Sequence, residues 1–275
     1  TPKISILLPT YKTATYIERA IESVRAQSFR DWELILIDDG LETEAVKVIN
    51  GLRANDERII YIKNESNLGI QKSLNKGLRY AQGIYIARID DDDEWIDKEK
   101  IEKQIRFLEQ NQEHVLVGAN AKIENDKGET LGVYKMPETD REIRQRILSK
   151  NCFLHSSILA SKDKIIEVGG YPESIETLHI EDYALWLRLG LLGKFANLPS
   201  VSVKIMVHLG SLTSQNRFAQ VKRIIKLTRE YRSSYPGFWL GQFALFLRLV
   251  GFAVIKNLPV GERLFYKIQQ MYKQI

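Results

Sequence analysis

The chain has 275 residues, of which 44% are hydrophobic and 27% are charged. This length predicts one large domain, or one domain with an appendage, and the composition is that of a soluble globular protein with a sizeable core. A single cysteine, Cys152, excludes a disulfide scaffold and favours a reducing compartment. No signal-peptide pattern precedes the first strand-like run, so we expect a cytoplasmic location.

The charge is distributed unevenly along the chain. Residues 217–275 hold 11 Lys and Arg against two Glu, a local balance of +9, whereas residues 1–216 sum to −4. A near-neutral body with a basic C-terminal segment predicts an anionic partner for that segment. Because the body has no matching basic stripe, a membrane surface is favoured and no nucleic-acid partner is expected.

The first 125 residues alternate short apolar runs with helical patterns. The apolar runs are typical of buried strands and cover residues 4–8, 34–37, 59–62 and 84–87. Apolar residues at helical spacing separate each run from the next. Nearly continuous apolar strands alternating with helices predict an α/β fold with an open, mostly parallel sheet and helices on both faces.

The pattern changes after Asn125. It predicts a hairpin turn at 126–128, a polar helix at 140–150, a strand at 152–160, a helix at 183–192 and a strand at 201–207. Near Ser214 the composition becomes basic, so we place a boundary there. The predicted organisation is a body of residues 1–214, with halves 1–93 and 94–214, and a helical basic extension of residues 215–275.

Polar clusters follow all four predicted strands of the first half. They are Thr10-Tyr11, Asp38-Asp39, residues 64–69 and the run Asp90 to Asp93. In open α/β sheets, ligands bind outside the carboxyl ends of the strands. The four clusters therefore predict a single ligand-binding crevice at that edge of the sheet.

The acidic run after the fourth strand carries the sharpest chemical signal. Four adjacent carboxylates repel one another, and Mg²⁺ or Mn²⁺ bound with a substrate diphosphate would relieve this repulsion. A bare acidic loop stays the alternative, although the position favours a metal–diphosphate site. Asp38-Asp39-Gly40 is equally consistent with a β-turn and with carboxylates that bind a nucleotide. Asn67-Leu68-Gly69 alone is a weak loop signal.

The pair Glu181-Asp182 opens the predicted helix at 183–192. Acidic residues commonly cap helix N-termini, and spacing alone favours that role over a general base. His155 and His208 are each more often structural than catalytic when judged singly. The sequence contains no G-x-G-x-x-G after a strand, no P-loop, no G-x-S-x-G elbow and no zinc-ligand cluster.

Taken in order, these motifs resemble family 2 glycosyltransferases of the GT-A fold, over about residues 3 to 214. The segments that carry the likeness are 6–11, 33–40, 67–69, 87–93 and 181–186. The resemblance implies an inverting, hexosyltransferase-type enzyme that uses Mn²⁺ or Mg²⁺. It would move one sugar from a nucleotide-diphosphate sugar, expected to be UDP-linked, to a glycan or lipid-linked acceptor in surface polysaccharide synthesis. Residues 1–93 would then be the nucleotide-binding half and 94–214 the acceptor half.

The resemblance also implies residue roles. Asp182 matches the catalytic base, and Asp90 and Asp92 match the two acidic positions of a D-x-D motif. Asp92 is the expected metal ligand, together with His208. The nucleotide sugar would be bound by Pro9, Thr10, Tyr11, Asp38, Asp39, Asn67, Gly69, Arg88, Asp90 and Asp91.

Two positions depart from the family pattern, and two other functions stay open. Leu41 stands where Ser is usual, and Met206 where Arg is common, which affects contacts to ribose and diphosphate. Arg88 and Lys204 are both candidates to stabilise the leaving group. The alternatives are a sugar nucleotidylyltransferase, whose Gly- and Arg-containing loop is absent here, and a catalytically inactive sugar-nucleotide-binding protein. The Q-x-x-R-W motif of processive synthases is absent, which favours transfer of a single sugar.

Residues 238–255 contain 14 apolar residues, interrupted by Gln242 and Arg248. A spanning helix needs about 20 predominantly apolar residues, and a central Arg costs about 2.5–3.5 kcal/mol, so spanning is disfavoured. Packing against the body or a partner chain is one alternative. A helix in the membrane interface is favoured, because apolar side chains fall at helical spacing between flanking cations. We therefore expect peripheral contact of residues 217–275 with an anionic membrane, on its cytoplasmic face.

Overall fold

The computed structural model describes residues 1–12, 15–125, 127–207 and 217–256. The strands are β1 (Ile4–Lys12), β2 (Trp32–Leu41), β3 (Ile59–Lys63), β4 (Tyr85–Arg88), β5 (Glu94–Trp95), β6 (His114–Asn125), β7 (Thr130–Tyr134), β8 (Leu159–Ser161) and β9 (Lys194–Val207). The helices are α1 (Ile17–Arg25), α2 (Thr43–Arg53), α3 (Ile70–Tyr80), α4 (Lys100–Gln110), α5 (Asp140–Arg146), α6 (Lys162–Glu167), α7 (Glu181–Leu189), α8 (Arg217–Glu230) and α9 (Phe238–Lys256).

The first four strands form the parallel sheet that the sequence predicts, and their order is β3-β2-β1-β4. Successive side chains of β1 enter two different cores. Ile4, Ile6 and Leu8 belong to one hydrophobic core, whereas Leu7 belongs to the other. Because side chains alternate across a strand, this division requires that both faces of the sheet are covered. The expected α/β sheet with helices on both faces is therefore present.

The second half makes the sheet mixed rather than mostly parallel. β8 lies antiparallel between β4 and β6, β9 pairs parallel with β6, and β5 pairs antiparallel with β9. β6 and β7 form the expected antiparallel hairpin. The correction concerns only strand direction, because the βαβ pattern that predicts parallel pairing ends at β4.

The strand expected at residues 152–160 is much shorter than predicted. Only Leu159–Ser161 is a strand, and His155–Ser157 form a 3₁₀ turn. Side chains from elsewhere bind the carbonyls of this turn: Trp95 Nε1 donates to Ser156 O at 2.8 Å, and Gln104 Nε2 donates to Ser157 O at 2.7 Å. These long-range bonds replace the ladder that a strand would make.

The C-terminal helices α8 and α9 pack against the body. Leu227 and Tyr235 are buried in the core that contains α7, and the Tyr235 hydroxyl donates to Leu187 O at 2.7 Å. Within the described residues, no helix is long and apolar enough to cross a membrane. The boundary predicted near Ser214 lies outside the described residues and stays a prediction.

Candidate active site

The carboxyl ends of β1, β2 and β4 bring three of the predicted clusters together. Thr10 on β1 lies opposite Asp38 on β2 in the sheet register. Thr10 Oγ1 donates a 2.7 Å hydrogen bond to Asp91 Oδ2, which ties the first strand to the acidic run after β4. Three of the polar clusters predicted to meet at one edge of the sheet therefore do lie together there.

Asp38 is fully buried at the end of β2 and is held from two sides. The Gly40 amide donates to Asp38 Oδ1 at 2.8 Å, and the Tyr61 hydroxyl donates to Asp38 Oδ2. Burial and the neighbouring Asp38 raise the pKa of Tyr61 well above its usual value, so the phenol stays a donor. Gly40 has a φ of +125°, a conformation that favours glycine, and this turns the chain sharply after Asp38.

Asp39 organises the loop that precedes α3. Its carboxylate accepts hydrogen bonds from the amides of Leu68 (2.7 Å) and Gly69 (2.9 Å), and from Asn64 Nδ2 (2.8 Å). Asn67 Oδ1 also accepts from the Gly69 amide at 3.0 Å. Asp39 thus joins the second and third polar clusters, and its internal bonds leave little acceptor capacity for a ligand.

Pro9 and Tyr11 flank Thr10 with different surroundings. Pro9 is buried within β1, opposite Ile37 of β2. The Tyr11 side chain is 44% exposed, and its ring approaches Gly40 so closely that an added Cβ there would lie 3.3 Å from it. An exposed aromatic ring at the carboxyl edge of a sheet can stack on a planar ligand.

The acidic run is bonded into the fold and is not a bare solvated loop. Ser156 Oγ donates to Asp90 Oδ2 at 3.2 Å, and the Met206 amide donates to Asp93 Oδ1 at 3.3 Å. Burial, the largest cause, and the charge of Asp90 raise the pKa of Asp91 to about 6. Burial and the charges of Asp92 and Asp90 raise the pKa of buried Asp93 well above its usual value. Burial thus disfavours the ionised forms of Asp91 and Asp93, and the neighbouring carboxylates add to this effect.

This donor set fits a hard divalent cation. In the part of the chain that the structure describes, no three His, Cys, Asp or Glu side chains converge as a metal cage. Mg²⁺ and Mn²⁺ sites commonly use only one or two carboxylates, and substrate phosphates and water complete the shell. Partly buried Asp92, within a run of four adjacent carboxylates, is suited to such a site. His208, the second predicted ligand, lies outside the described residues.

Arg88 connects the acidic run with the predicted base. Its buried guanidinium donates from Nη2 to Asp90 Oδ1, and its charge favours the ionised forms of Glu181 and Asp182. Its Nε and Nη1 are buried and have no hydrogen-bond partner among the described residues. Lys204, the other candidate cation, forms salt bridges with Glu94 and with Glu124 instead. Of the two, only Arg88 contacts the acidic run.

Asp182 lies in the first turn of α7, but it is not the cap that spacing alone favours. The N-cap residue is Ile180, which has no side-chain capping bond. Asn151 Nδ2 donates to Asp182 Oδ2 at 2.8 Å, and burial raises the pKa of Asp182. The Asn151 bond and the charge of Arg88 oppose this rise. A partly buried carboxylate with a raised pKa and fixed orientation can accept a proton.

Several side chains of this region could not be found from motifs. Asn151 lies 31 residues before Asp182 in the sequence, and Ser156 and Tyr61 reach the site from other elements. His155 is partly buried, with Nε2 2.9 Å from the Tyr171 hydroxyl, which agrees with the structural role predicted for it. Burial, with Arg88 nearby, lowers the pKa of His155 well below its usual value, so its ring is neutral.

Comparisons with known proteins show the family to which the chain belongs. The model of the family described as Glycosyl transferase family 2 matches residues 5–168. The amylovoran biosynthesis glycosyltransferase AmsE of Erwinia amylovora is 33% identical over 228 residues, which cover 82% of this chain and 84% of that protein. The UDP-Glc:alpha-D-GlcNAc-diphosphoundecaprenol beta-1,3-glucosyltransferase WfaP of Escherichia coli is 33% identical over 221 residues, 80% of this chain and 83% of that protein.

Solved structures share the fold at low sequence identity. S. aureus TarS 1–349 in complex with UDP-GlcNAc gives a TM-score of 0.67 at 16% identity, over 90% of this chain and 71% of that one. The mannosyltransferase PcManGT from Pyrobaculum calidifontis, in complex with GDP-Man and Mn²⁺, gives 0.67 at 13% identity, over 99% and 82%. The sheet is therefore of the GT-A type. With the family match and the two relatives, these findings show that the chain belongs to glycosyltransferase family 2 and is a glycosyltransferase of polysaccharide synthesis.

Proposed function

We propose that the chain is a metal-dependent, inverting glycosyltransferase that moves one sugar from a UDP-sugar to a hydroxyl of a glycan or lipid-linked acceptor. One observation carries this proposal: partly buried Asp182, bonded by Asn151, is influenced by the charge of the Arg88 guanidinium, which itself donates to Asp90 in the acidic run. The base and the diphosphate side of the reaction would thus lie on two sides of one cation.

The residues divide the reaction between them. Asp182 accepts the proton of the acceptor hydroxyl as that oxygen attacks the anomeric carbon from the face opposite the leaving diphosphate. Asn151 donates to Oδ2 of Asp182 and so holds the carboxylate in one orientation for proton transfer. A bound Mn²⁺ or Mg²⁺ at Asp92 would neutralise charge on the diphosphate. Buried Arg88 adds a fixed positive charge beside Asp90.

The nucleotide would occupy the edge formed by β1, β2 and the loop before α3. Exposed Tyr11 offers a stacking surface next to Gly40, and Thr10 and Asp38 lie at the strand ends below it. Asp39 would act mainly by fixing residues 67–69, whose amides it binds. A UDP-linked donor is supported by the names of the Escherichia coli relative and of the TarS complex.

A membrane-surface location is part of the proposal. α9 exposes a stripe of large apolar side chains, whereas Leu245 on its opposite face is fully buried. The stripe consists of Trp239, Leu240, Phe243, Phe246, Leu247 and Val250. An apolar helix face next to a basic segment suits the interface of an anionic membrane. The enzyme would therefore bind the cytoplasmic face peripherally, through residues 217–275.

The test is a donor screen with the purified full chain. Release of nucleoside diphosphate is measured across a panel of UDP-, GDP- and dTDP-sugars with Mn²⁺, with and without EDTA. We expect release with a UDP-sugar that EDTA abolishes. Binding of UDP-sugars without release or transfer to any acceptor would favour a catalytically inactive binding protein, and formation of a sugar nucleotide from a sugar phosphate would favour a nucleotidylyltransferase.

A further inference from the structure

The turn that carries Asp92 is anchored to the first helix of the chain. The Asp93 amide donates to Asp90 O at 3.2 Å, which closes a turn with Asp91 and Asp92 at its two central positions. Arg19 of α1 donates from Nη2 to Asp92 O at 3.0 Å. This bond fixes the peptide group that follows Asp92, so it orients the residue without occupying its carboxylate.

The two central residues of the turn are held by different means. Thr10 Oγ1 donates to the carboxylate of Asp91 at 2.7 Å, whereas Arg19 binds the main-chain carbonyl of Asp92. A hydrogen bond to a carboxylate competes with a metal for the same oxygen, but a bond to the carbonyl does not. Of these two contacts, the one made by Arg19 is therefore suited to a residue whose side chain binds a metal.

The Arg19 guanidinium is itself held on two further sides. Its Nε lies 3.4 Å from Glu94 Oε2, and its Cζ lies 5.0 Å from the centre of the Tyr16 ring. The Arg19 and Glu94 side chains are only 32% and 24% exposed. A planar guanidinium presents several donors in a fixed geometry, so it can contact Glu94 and Asp92 O together, whereas a lysine ammonium is a point charge on a flexible stem.

Glu94 connects Arg19 with the last strand of the sheet. Lys204 of β9 lies opposite Glu94 in the sheet register and forms a salt bridge with the same carboxylate. Two residues further along β9, the Met206 amide donates to Asp93 Oδ1 at 3.3 Å. The turn is therefore tied to α1 on one side and to β9 on the other, with the Glu94 carboxylate shared between the two.

The charge and the position of Arg19 should affect a metal at Asp92 in opposite directions. A cation beside the site repels the metal, so the charge alone would weaken Mn²⁺ binding. Residues that orient a metal ligand, in contrast, typically account for about 10- to 100-fold in metal affinity. Because the charge of Arg19 is already paired with Glu94, we expect orientation to exceed repulsion.

We propose that Arg19 is a positioning residue for the metal site: its bond to Asp92 O holds the Asp92 carboxylate in the orientation that binds Mn²⁺ or Mg²⁺. The inference rests on the proposed function, because it takes Asp92 as the metal ligand. Since α1 follows β1 in the chain, and the end of β1 belongs to the nucleotide edge, Arg19 also connects that edge with the metal side of the site.

Calorimetry on the full chain tests this role without turnover. UDP is titrated in the absence of metal, and Mn²⁺ is titrated into the chain saturated with UDP. Arg19→Gln should keep the melting temperature and the metal-free affinity for UDP, and it should weaken Mn²⁺ binding roughly tenfold or more. Arg19→Lys keeps the charge but not the fork of donors, so it should recover only part of the Mn²⁺ affinity.

Arg25 of the same helix offers a matched control. Its side chain is 30% exposed, and its Nε lies 3.3 Å from Asp56 Oδ2, so Arg25→Gln removes a similar salt bridge and should keep the Mn²⁺ affinity. Glu94→Gln covers the case in which Arg19→Gln does not fold. It should weaken Mn²⁺ binding severalfold, and its effect should be less than additive with that of Arg19→Lys, because both substitutions act on one contact.

Three results would overturn the proposal. Tighter Mn²⁺ binding by Arg19→Gln would mean that the residue acts through charge alone, and an unchanged affinity would mean that it does not act on the site. An equal loss of UDP binding with and without Mn²⁺ would indicate a role in the fold only. Failure of the proposed function is distinct, because the wild type itself would then show no Mn²⁺-dependent gain in UDP binding.

Discussion

Asn151 donates a 2.8 Å hydrogen bond from Nδ2 to Oδ2 of Asp182, and this bond joins the loop after α5 to the first turn of α7. The amide cannot take up a proton, so its role is to fix one oxygen of the carboxylate. α9 packs against the start of this loop, since a Cβ added at Gly241 of α9 would lie 2.8 Å from Leu148 O. The loop therefore connects the C-terminal helices with the predicted base.

Loss of this bond should slow transfer through misorientation of the base. We expect Asn151→Ala to lower kcat by roughly 10- to 100-fold with little change in the affinity for the donor, since small misplacements of a catalytic group are costly. The measurements are steady-state kinetics and calorimetric titration with UDP-sugar. Asn50→Ala, on the exposed side of α2, is the matched control. An unchanged kcat in Asn151→Ala would show that Asp182 needs no such orientation.

The metal assignment can be tested by binding alone. Asp92→Ala should abolish Mn²⁺-dependent binding of UDP and leave the melting temperature near that of the wild type, because the side chain is only partly buried. Calorimetry with and without Mn²⁺ measures this directly. Asp31→Ala removes an exposed carboxylate elsewhere and should bind UDP normally. If Asp92→Ala keeps the full Mn²⁺ effect, the ligand is another residue.

Glu181 should make stability depend on pH. Burial is the main cause that raises its pKa from 4.5 to about 7, so the folded chain keeps a proton that the unfolded chain has lost. The stabilisation by this proton is complete below about pH 4.5 and is lost as the pH rises through about 7. As the pH rises over that range, the free energy of unfolding should therefore fall by on the order of 1–3 kcal/mol more in the wild type than in Glu181→Gln.

Urea unfolding at a series of pH values measures this difference. Glu57→Gln, which changes an exposed carboxylate, should follow the wild-type curve. Asp91 and Asp93 also have raised pKa values and contribute slopes of the same sign, but they are present in every variant. Parallel curves for Glu181→Gln and the wild type would mean that Glu181 is ionised at neutral pH in the folded chain.

Membrane binding should depend on the exposed stripe of α9. Trp239→Ser/Phe243→Ser should weaken co-sedimentation with phosphatidylglycerol vesicles by at least roughly tenfold, because burying one large apolar side chain contributes about 1.5–3 kcal/mol. High salt should release the wild type in part. Ile166→Ser, on the exposed side of α6, is the control. Full-chain variants are preferable to truncation, since Leu227 and Tyr235 belong to the core. Unchanged sedimentation of the double variant would exclude the stripe as the anchor.

Much of the nucleotide side could be predicted because it depends on local pattern. The apolar runs of β1 to β4 determine a parallel sheet, and a parallel sheet places Thr10, Asp38 and the acidic run at one edge. The resemblance to family 2 glycosyltransferases also pointed correctly to the family and the fold. These features follow from periodicity and from an ordered set of motifs.

The remaining features depend on contacts between distant residues. The strand predicted at 152–160 is wrong because Trp95 and Gln104 bind its carbonyls. Asn151 could not be linked to Asp182 from a chain separation of 31 residues. Spacing alone also predicts that Glu181-Asp182 caps the helix. In the structure the N-cap residue is Ile180, and the Asp182 carboxylate accepts a hydrogen bond from Asn151 instead. Side-chain partners of this kind leave no periodic signal in a single sequence.

The central claim is that this crevice transfers sugar with Asp182 as the base, and the rate of Asp182→Asn tests it most directly. Asn keeps the size and the polar character of Asp but cannot accept the proton. The assay uses Mn²⁺ and a UDP-sugar that the wild type turns over. We predict that Asp182→Asn keeps the melting temperature and the affinity for the donor, and that its transfer rate is lower by at least roughly 10²-fold. Transfer by Asp182→Asn at a rate near that of the wild type would contradict the account.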